Sequence, residues 1–424
     1  MGKFTKKKKR SKGSSSTQTS RERSSEHSKG KRVTRSQSKS KLPGQAGKYD
    51  ACEVTAKGMK SKEGKGERDK KKKKEDQGPS KSPSMIMIAM KESQMDVGMQ
   101  SQKIEKSMKT WLETLEKSEY KVILETDFTR IDGIQTDPEK CKVFQKNMDL
   151  CQSENSAVLD ENRVKAGDGE FFYHGSVINL PNMPTKVILA QLPLSDDPIC
   201  MEAFWLMVAA NKMQRVFVLC GPDEIEKKTM SDYFPDDFVK HKTISVNNKK
   251  TLPRGEDQTN DMMYFEVVPT DCAEAPFAMM EICDFWPDEK IPTNPNRPAS
   301  TAGSVFDSDI DPDASIGVVS MFGAGRAGSF LVAALAIDKL RSGEAPVIKD
   351  LAQSVRDQRP GAIETLSQYT YIHVIALTYC LKFVSNPTMK SKMEKVISQL
   401  EQFAFEQMIK DEEDDSAPNN TTEN

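Results

Sequence analysis

The sequence predicts an α/β domain, a mixed sheet flanked by helices, between two polar tails. From residue 171 onward, short apolar runs typical of strands alternate with longer helical patterns. Residues 314–340 combine an apolar run, a glycine-rich turn and an Ala/Leu-rich helical segment in immediate succession. About 300 residues between the tails are enough for a single domain with a large core.

Charge divides the chain into a basic arm and an acidic remainder. Residues 1–80 carry 26 Lys and Arg against 9 Asp and Glu, whereas the remaining residues carry 36 against 54. Residues 1–84 contain too few bulky apolar side chains to offset the entropy of ordering, so we expect a disordered arm. The acidic tail at 411–424 should be disordered for the same reason. The opposite charges allow attraction between arm and body, either within one chain or head to tail between chains, and salt would screen it.

The basic clusters at residues 6–10 and 70–74 are compatible with several roles. They could support nuclear import, bind nucleic acid or bind an anionic membrane surface, or they could only solubilise the tail. The N-terminus lacks the apolar segment of a secretory signal, and no apolar run is long enough for a transmembrane segment. We therefore expect an intracellular protein, cytoplasmic or nuclear.

Cysteine and histidine spacing gives no sign of a metal or cofactor. The eight cysteines include no C-x-x-C pair, and the four histidines lie far apart. Neither a zinc site nor a disulfide framework is expected from this pattern.

The domain is predicted over residues 104–405, and helices come first. Residues 101–118 place apolar side chains at helical spacing, and residues 138–152 also indicate a helix. The preceding segment, 85–103, contains the apolar stretch MIMIAM. It is either a linker, a docking segment or the first element of the fold.

Strand and helix patterns then alternate. The predicted strands are FFYHGSVINL, KVILAQLPL, RVFVLC, KTISV, MMYFEVV and FAMMEICDF. The segment DPICMEAFWLMVAANK is a helix with Asp197 and a proline at its start. Residues 293–313 are rich in Pro, Ser and Asp and predict a loop. After residue 340, helices are predicted in VIKDLAQSVRDQ, in LSQYTYIHVIALTYCLKFV and over 387–410.

The turn GAGRAG, residues 323–328, allows three interpretations on its own. It matches the G-x-G-x-x-G dinucleotide fingerprint, but Glu344, at the right distance for the acidic partner, precedes an apolar run instead of following a strand. It could instead form a phosphate-binding loop, because glycines let backbone N–H groups converge at a helix N-terminus. It could also be a turn without a ligand.

Four motifs elsewhere decide between these interpretations. QLPL with AFWLM, RVFVLC with SDYFP, CDFWPDEKIP, and RPGAIETLSQYTYIH occur in that order. In this order they resemble the motifs of the classical protein tyrosine phosphatases, over roughly residues 104–405. The way in which these motifs differ from the family pattern is most similar to that of the nematode-type members. The resemblance implies a twisted mixed sheet flanked by helices, with the glycine-rich turn as its central phosphate loop.

The resemblance also assigns roles to individual positions. The family's nucleophilic cysteine precedes the loop arginine by five intervening residues, which places Ser320 at the nucleophile position relative to Arg326. Asp288 matches the general acid of the mobile loop. Glu364 replaces the first glutamine that positions water, and Gln368 matches the second. A serine hydroxyl is hardly ionised near pH 7, so we expect a loss of activity by many orders of magnitude.

Other positions in the resemblance also depart from the family. Val319 and Ala327 replace a histidine and a Ser or Thr, and Lys290 replaces a glycine of the acid loop. In the recognition segment, Asn162 and Arg163 are kept, but Val164 replaces the tyrosine that stacks on phosphotyrosine. The phosphate-loop positions are Met321, Phe322, Gly323, Ala324, Gly325 and Arg326. Phe322 either blocks the pocket or packs beneath the loop.

The sequence thus predicts a catalytically inactive phosphatase-like protein that binds or scaffolds a protein partner, one alternative being a tyrosine-phosphorylated partner. The competing predictions are an active phosphatase, and nucleic-acid or membrane-surface binding through the basic arm. Structural roles are also open for the site positions: Trp286 could be a core residue, Asp288 an exposed turn acid, and Arg326 the ion-pair partner of Glu224 or Glu226.

Overall fold

A computed structural model describes residues 83–416, apart from residues 117–118, 182, 184, 222–223, 225–229, 256–259, 271, 273–274, 289, 308–309 and 312. The predicted basic arm therefore lies outside the described residues, except for its last two positions. Within the described part, no helix is both long and apolar enough to span a membrane.

Eight strands of the described chain form one sheet in the order β1-β2-β8-β3-β7-β6-β5-β4. Strands β2, β8, β3 and β7 are parallel, whereas β1, β6, β5 and β4 pair antiparallel with their neighbours. The strands are β1 Gly175–Ile178, β2 Lys186–Gln191, β3 Met213–Leu219, β4 Phe238–Lys240, β5 Ile244–Leu252, β6 Asp261–Pro269, β7 Phe277–Cys283 and β8 Ser315–Ser320. The carboxyl ends of the four parallel strands meet at one edge, where ligand sites of such sheets lie.

Helices cover both faces of this sheet. They are α1 Pro83–Leu115, α2 Tyr120–Asp132, α3 Lys142–Gln145, α4 Pro198–Ala210, α5 Met230–Tyr233, α6 Asn296–Gly303, α7 Gly325–Ser342, α8 Ile348–Arg356, α9 Leu366–Leu381 and α10 Pro387–Ser416. Two short 3₁₀ helices, Pro138–Lys140 and Met148–Leu150, follow α2.

The central strand β8 shows why two cores form. Ile316 and Val318 project into a core shared with α7 and α9, whereas Val319 projects into a second core with α4. Successive side chains of a strand point to opposite faces, so a continuous apolar run is buried on both sides. This confirms the α/β architecture that the apolar run predicted.

Local signals located several elements correctly. The Asp197 side chain accepts hydrogen bonds from the backbone N–H groups of Ile199 (2.7 Å) and Cys200 (3.0 Å), and the helix begins at Pro198 as predicted. The strand–turn–helix unit is confirmed as β8 and α7, although α7 begins at Gly325, inside the predicted turn.

Other predictions about the elements were wrong or incomplete. The sequence analysis did not predict helix α2, although Leu124 and Ile131 lie on the same face of the helix and are buried. The predicted single helix at 138–152 is instead three short helices, Pro138–Lys140, α3 and Met148–Leu150. The predicted loop at 293–313 contains α6, whose short length needs tertiary packing of its alanines.

The ends of the domain also differ from the prediction. The segment 85–103, predicted to be a linker, a docking segment or the first element of the fold, belongs to α1. Its Met, Lys and Glu residues favour a helix. The acidic segment 411–416, predicted to be disordered, continues α10. Residues 417–424 lie outside the described part of the chain.

Candidate functional site

The turn between β8 and α7 forms a tight loop at the carboxyl edge of the sheet. Gly323 has φ +62°, and a Cβ atom there would collide with the backbone of Ala190 and Gln191 in β2. Only glycine satisfies both the positive φ and the close approach of two backbones. The loop therefore sits directly against the neighbouring parallel strand.

Arg359 fixes the path of this loop from below. Its guanidinium is fully buried and donates to the carbonyl oxygens of Phe322 and Gly323, both at 2.9 Å. Because a trans peptide points its C=O and the next N–H in opposite directions, the N–H groups of Gly323 and Ala324 face away from Arg359. Burial lowers the pKa of Arg359 to about 10. Sequence reasoning assigned no role to Arg359, although it opens the RPGAIET motif.

His174 lies beside Arg359. The ring Nε2 is 2.6 Å from the carbonyl oxygen of Ser156, and Nδ1 is 3.4 Å from Arg359 Nη2. Because a carbonyl only accepts and a guanidinium only donates, Nε2 carries the proton and Nδ1 accepts. Burial, aided by the Arg359 charge, holds the pKa of His174 well below its ordinary value. Sequence reasoning gave this histidine no role, because only the fold brings it to Arg359.

Ser320 ends β8 and begins the loop. It is buried, and its Oγ accepts a hydrogen bond of 3.2 Å from the N–H of Gly323. Within the described part of the chain, no histidine or carboxylate hydrogen-bonds this hydroxyl. Ser320 is thus buried at the start of the loop, and none of the described residues is placed as a base to remove its proton.

Arg326 is held by carboxylates of the same chain. Its Nη1 and Nη2 bind Glu224 Oε2 at 2.5 Å and Oε1 at 2.9 Å, and Nη2 also lies 2.7 Å from Asp288 Oδ1. The carbonyl oxygen of Trp286 accepts a further bond from Nη1 at 3.1 Å. The side chain is only 3% exposed. Burial would lower the pKa of Arg326, but the hydrogen bond and charge of Glu224 and the charge of Asp288 raise it.

The acid-loop motif packs against the same point. Trp286 is fully buried in the core and its Nε1 donates to the carbonyl oxygen of Lys290 at 3.0 Å. A Cβ atom on Gly221 would clash with Pro287, so this loop lies directly on the end of β3. Asp288 is 37% exposed and faces Arg326, whereas Lys290 forms an ion pair of 2.9 Å with Glu412 of α10.

The last motif brings a further negative charge to the loop. A Cβ atom on Gly325 would collide with the carboxylate of Glu364, so this carboxylate lies on the first residue of α7. A helix N-terminus carries partial positive charge, so the carboxylate of Glu364, a residue of the same chain, lies against the positive end of α7. Gln368 is buried and its Oε1 accepts from the N–H of Glu364 at 3.0 Å.

The predicted recognition segment does not reach this site. Val164 is fully buried in the core beneath α4, and its N–H donates to the carbonyl oxygen of Gly175. Asn162 and Arg163 flank β1, where Arg163 forms an isolated bridge with Ser176. None of the three is among the described residues that line the cleft.

A cleft of about 570 Å³ opens above Arg326. Met321 lines it, whereas Phe322 is not among its described lining residues. The described lining consists of Gln152, Leu194, Ser195, Asp196, Asp197, Gly221, Glu224, Tyr233, Pro287, Asp288, Lys290 and Met321. The aspartates at 196 and 197 were not identified as site residues from the sequence.

A larger cavity of about 960 Å³ lies at the opposite end of the sheet. Its lining includes Arg215 at the start of β3 and Phe277 at the start of β7. It is therefore remote from the loop, although Leu206 and Arg215, which belong to two of the motifs, line it. Size alone does not identify the site here.

Comparison with known proteins agrees with the motifs. The family model for protein-tyrosine phosphatase matches residues 147–378. A Caenorhabditis elegans protein named among the tyrosine-protein phosphatases is 54% identical over 368 residues, which cover 86% of this chain and 83% of the relative. Human tyrosine-protein phosphatase non-receptor type 2 is 25% identical over 269 residues, 58% of this chain and 60% of the relative.

Solved structures show the same fold. The Trypanosoma cruzi phosphatase TcPTP1 aligns with a TM-score of 0.54 at 18% identity, covering 65% of this chain and 94% of that one. PTPN18 aligns with a TM-score of 0.54 at 19% identity, covering 65% of this chain and 99% of that one. The glycine-rich loop at the centre of a mixed sheet, the four motifs and these matches agree: the chain belongs to the protein-tyrosine phosphatase family.

Proposed function

We propose that this phosphatase-like domain does not hydrolyse phosphotyrosine and acts as a binding or scaffold protein. The observation that carries the proposal is the state of Arg326, which is buried and bonded to Glu224 and Asp288. The residue that would grip a phosphate therefore already has carboxylate partners from its own chain. A scaffold needs the fold and its surface, but it needs neither a nucleophile nor a phosphate-binding loop with a free arginine.

The nucleophile position supports the same conclusion. Covalent phosphoryl transfer needs an ionised nucleophile or a neighbouring base. Ser320 accepts a hydrogen bond from the loop, and no described histidine or carboxylate bonds to it. A serine hydroxyl in that environment stays protonated near neutral pH, so the in-line attack on phosphorus lacks its first step.

Negative charge around the loop between β8 and α7 further disfavours the binding of a phosphate dianion. Glu224 and Asp288 bind Arg326, and Glu364 lies against Gly325 at the start of α7. One unit charge repels another by about 4 kcal/mol at 4 Å and an effective dielectric constant of about 20. A dianion must therefore displace or overcome three carboxylates, which favours scaffolding over phosphotyrosine capture.

A turnover assay tests the proposal directly. The full chain is incubated with a phosphotyrosine peptide and the release of inorganic phosphate is followed. We expect release at the background rate. Hydrolysis that disappears in Arg326→Met would overturn the proposal and identify an active phosphatase.

Phosphotyrosine capture is the second candidate, because the cleft and Arg326 are both present. Calorimetric titration with the same peptide separates the two functions. We expect no saturable binding by the wild-type chain. Binding that Arg326→Met abolishes would establish capture, and Arg326→Lys, which keeps the charge but not the two-point geometry, controls for misfolding of the methionine variant.

A further inference from the structure

A smaller cavity, of about 230 Å³, lies among α1, α2, α9 and the segment that joins α7 to α8. It shares no described lining residue with the cleft above Arg326. Trp111, Leu115, Leu124 and Pro346 give it apolar walls. An apolar protein cavity of about 150 Å³ is enough to hold benzene. The volume here therefore admits an aromatic molecule of one or two rings.

His373 of α9 lines this cavity and is only 5% exposed. Its Nδ1 lies 3.3 Å from the carbonyl oxygen of Tyr369, and since a carbonyl only accepts, Nδ1 carries the proton. Burial lowers the pKa of His373 to about 4, so the ring is neutral near pH 7 and Nε2 keeps its lone pair. Among the described residues, none donates a hydrogen bond to Nε2. This nitrogen is a buried acceptor without a partner from the described chain.

Tyr369, one turn earlier on α9, brings a second polar group to the cavity. Its side chain is 1% exposed, and its hydroxyl makes no hydrogen bond to any residue that the structure describes. Burial, followed by the charges of Asp127 and Asp350, raises the pKa of Tyr369 above its ordinary value. Asp127 also lines the cavity, which places the hydroxyl end of Tyr369 on the cavity side. Buried polar groups normally have a partner, so both atoms call for one inside the cavity.

The surrounding rings favour an aromatic partner. His373 is stacked on Trp111, with centroids 5.9 Å and planes 22° apart, and meets Tyr369 edge to face at 5.6 Å and 76°. A further planar ring continues such stacked and edge-to-face contacts favourably. An aliphatic molecule would fill the space but leave Nε2 without a donor, and an anion would meet the carboxylate of Asp127.

We propose that this cavity binds a small aromatic molecule with an N–H or O–H donor, of the indole or phenol type, whose donor bonds to Nε2 of His373. This inference goes beyond the proposed function, because the cavity and the cleft above Arg326 are separate. Water satisfies the same two atoms when no ligand is bound. The test must therefore show that the ring and the donor both contribute to binding.

The probes are two matched pairs of fluorinated compounds. Fluoroindole is compared with its N-methyl derivative, and fluorophenol with its methyl ether, so that each pair differs in the donor alone. Fluorine NMR line broadening measures the binding of each compound to the full chain. N-Acetyltryptophanamide, which carries an indole on a peptide backbone, serves as a competitor.

Three variants locate the site. His373→Phe keeps a ring but removes the acceptor, and Tyr369→Phe removes only the hydroxyl. Tyr371→Phe is the matched control, because Tyr371 is also 1% exposed on α9, its hydroxyl donates to the carbonyl oxygen of Pro292 at 2.7 Å, and it is not among the described lining residues. Thermal unfolding establishes that each variant is folded at the temperature of the titration.

We expect N-methylation to weaken the binding of fluoroindole to wild type about tenfold, the upper range of one hydrogen bond. His373→Phe should weaken the binding of fluoroindole by about the same factor, and N-methylation should then have no further effect, because both changes remove one bond. Tyr369→Phe should weaken binding at least about threefold, whereas Tyr371→Phe should stay within about twofold of wild type. The peptide-like competitor should bind more weakly than fluoroindole, because its amides meet the exposed apolar side chains of Ile123 and Val347 at the cavity.

Several results would overturn the inference. If neither fluoroindole nor fluorophenol binds saturably to the folded chain, the cavity holds water only. Equal binding of the methylated compounds, additive losses from N-methylation and His373→Phe, or equal effects of the two tyrosine variants would exclude the assigned bond. Tighter binding of N-acetyltryptophanamide would assign the cavity to a partner's side chain instead. None of these results bears on phosphate release, so the turnover assay tests the proposed function separately.

Discussion

Arg326 and Glu224 form a two-point ion pair at the centre of the site, with Nη1–Oε2 at 2.5 Å and Nη2–Oε1 at 2.9 Å. The two side chains are only 3% and 12% exposed. Glu224 Oε2 also accepts from the N–H of Gly221 at 2.6 Å, so the pair joins α7 to the end of β3. Removing this ion pair should therefore lower the stability of the domain, whether or not a ligand is bound.

Arg326→Met is expected to destabilise the domain by about 3–5 kcal/mol, because it leaves the Glu224 charge buried without a counter-ion. Urea unfolding followed by circular dichroism measures the loss. The double variant Arg326→Met with Glu224→Gln serves as control and should recover part of that energy. A single variant as stable as wild type would show that the pair is solvated.

Ser320→Cys should not restore the turnover of active relatives. Its thiolate would form beside Arg326, which is already paired, and near the Glu364 carboxylate, so its charge gains little stabilisation. Adding Val319→His, Ala327→Ser and Glu364→Gln should give a larger gain than Ser320→Cys alone. Hydrolysis of p-nitrophenyl phosphate measures both, and the pH dependence of alkylation by iodoacetamide reports the thiolate. Full activity from the single change would contradict the charge argument.

Gly323→Ala should cost at least about 2 kcal/mol of unfolding free energy, because the residue has positive φ and lies against the backbone of Ala190. Gly169→Ala is the matched control. Gly169 has φ +94°, but no atom lies within 4 Å of the position that the alanine Cβ would take, so only the backbone strain remains. The control should lose about 1 kcal/mol in the same denaturation experiment. Equal losses would mean that the loop can move away from β2.

Acidification should destabilise the fold through His373. This histidine is buried, stacks on Trp111 at 5.9 Å, and has its pKa lowered from 6.5 to about 4, first by burial. The unfolded chain therefore binds the proton between pH 6.5 and about 4 while the fold does not, so stability falls as pH falls through this range. The loss attributable to His373 at pH 5 is about 2 kcal/mol.

His373→Phe keeps an aromatic ring against Trp111 without the titration. Its stability should change less than that of wild type between pH 7.5 and pH 5, measured by urea unfolding at both values. His174, also buried with a lowered pKa, contributes to acid sensitivity in both proteins and so cancels in the comparison. Identical pH slopes would show that His373 takes up its proton in the folded state.

Sequence patterns predicted most elements between residues 186 and 381, because period-2 and helical apolar spacings are local. Local sequence patterns did not predict the elements whose formation depends on tertiary packing. Helix α6 forms because its alanines enter the core, and α2 because Leu124 and Ile131 do. Val164, which replaces the tyrosine of the recognition segment, is buried in the core, next to the bridge between Arg163 and β1.

The sequence by itself determined the family, the order of its motifs, and the presence of Ser320 before the loop arginine, with five residues between them. The roles of the basic arm, binding nucleic acid or an anionic membrane surface, stay predictions. Only the tertiary structure paired Arg326 with Glu224, put Glu364 on α7, and gathered Asp196 and Asp197 at the cleft, whereas Glu226 lies outside the described residues. The reason is physical: parallel strands β3, β7 and β8 end at one edge, so charges far apart in sequence become neighbours there.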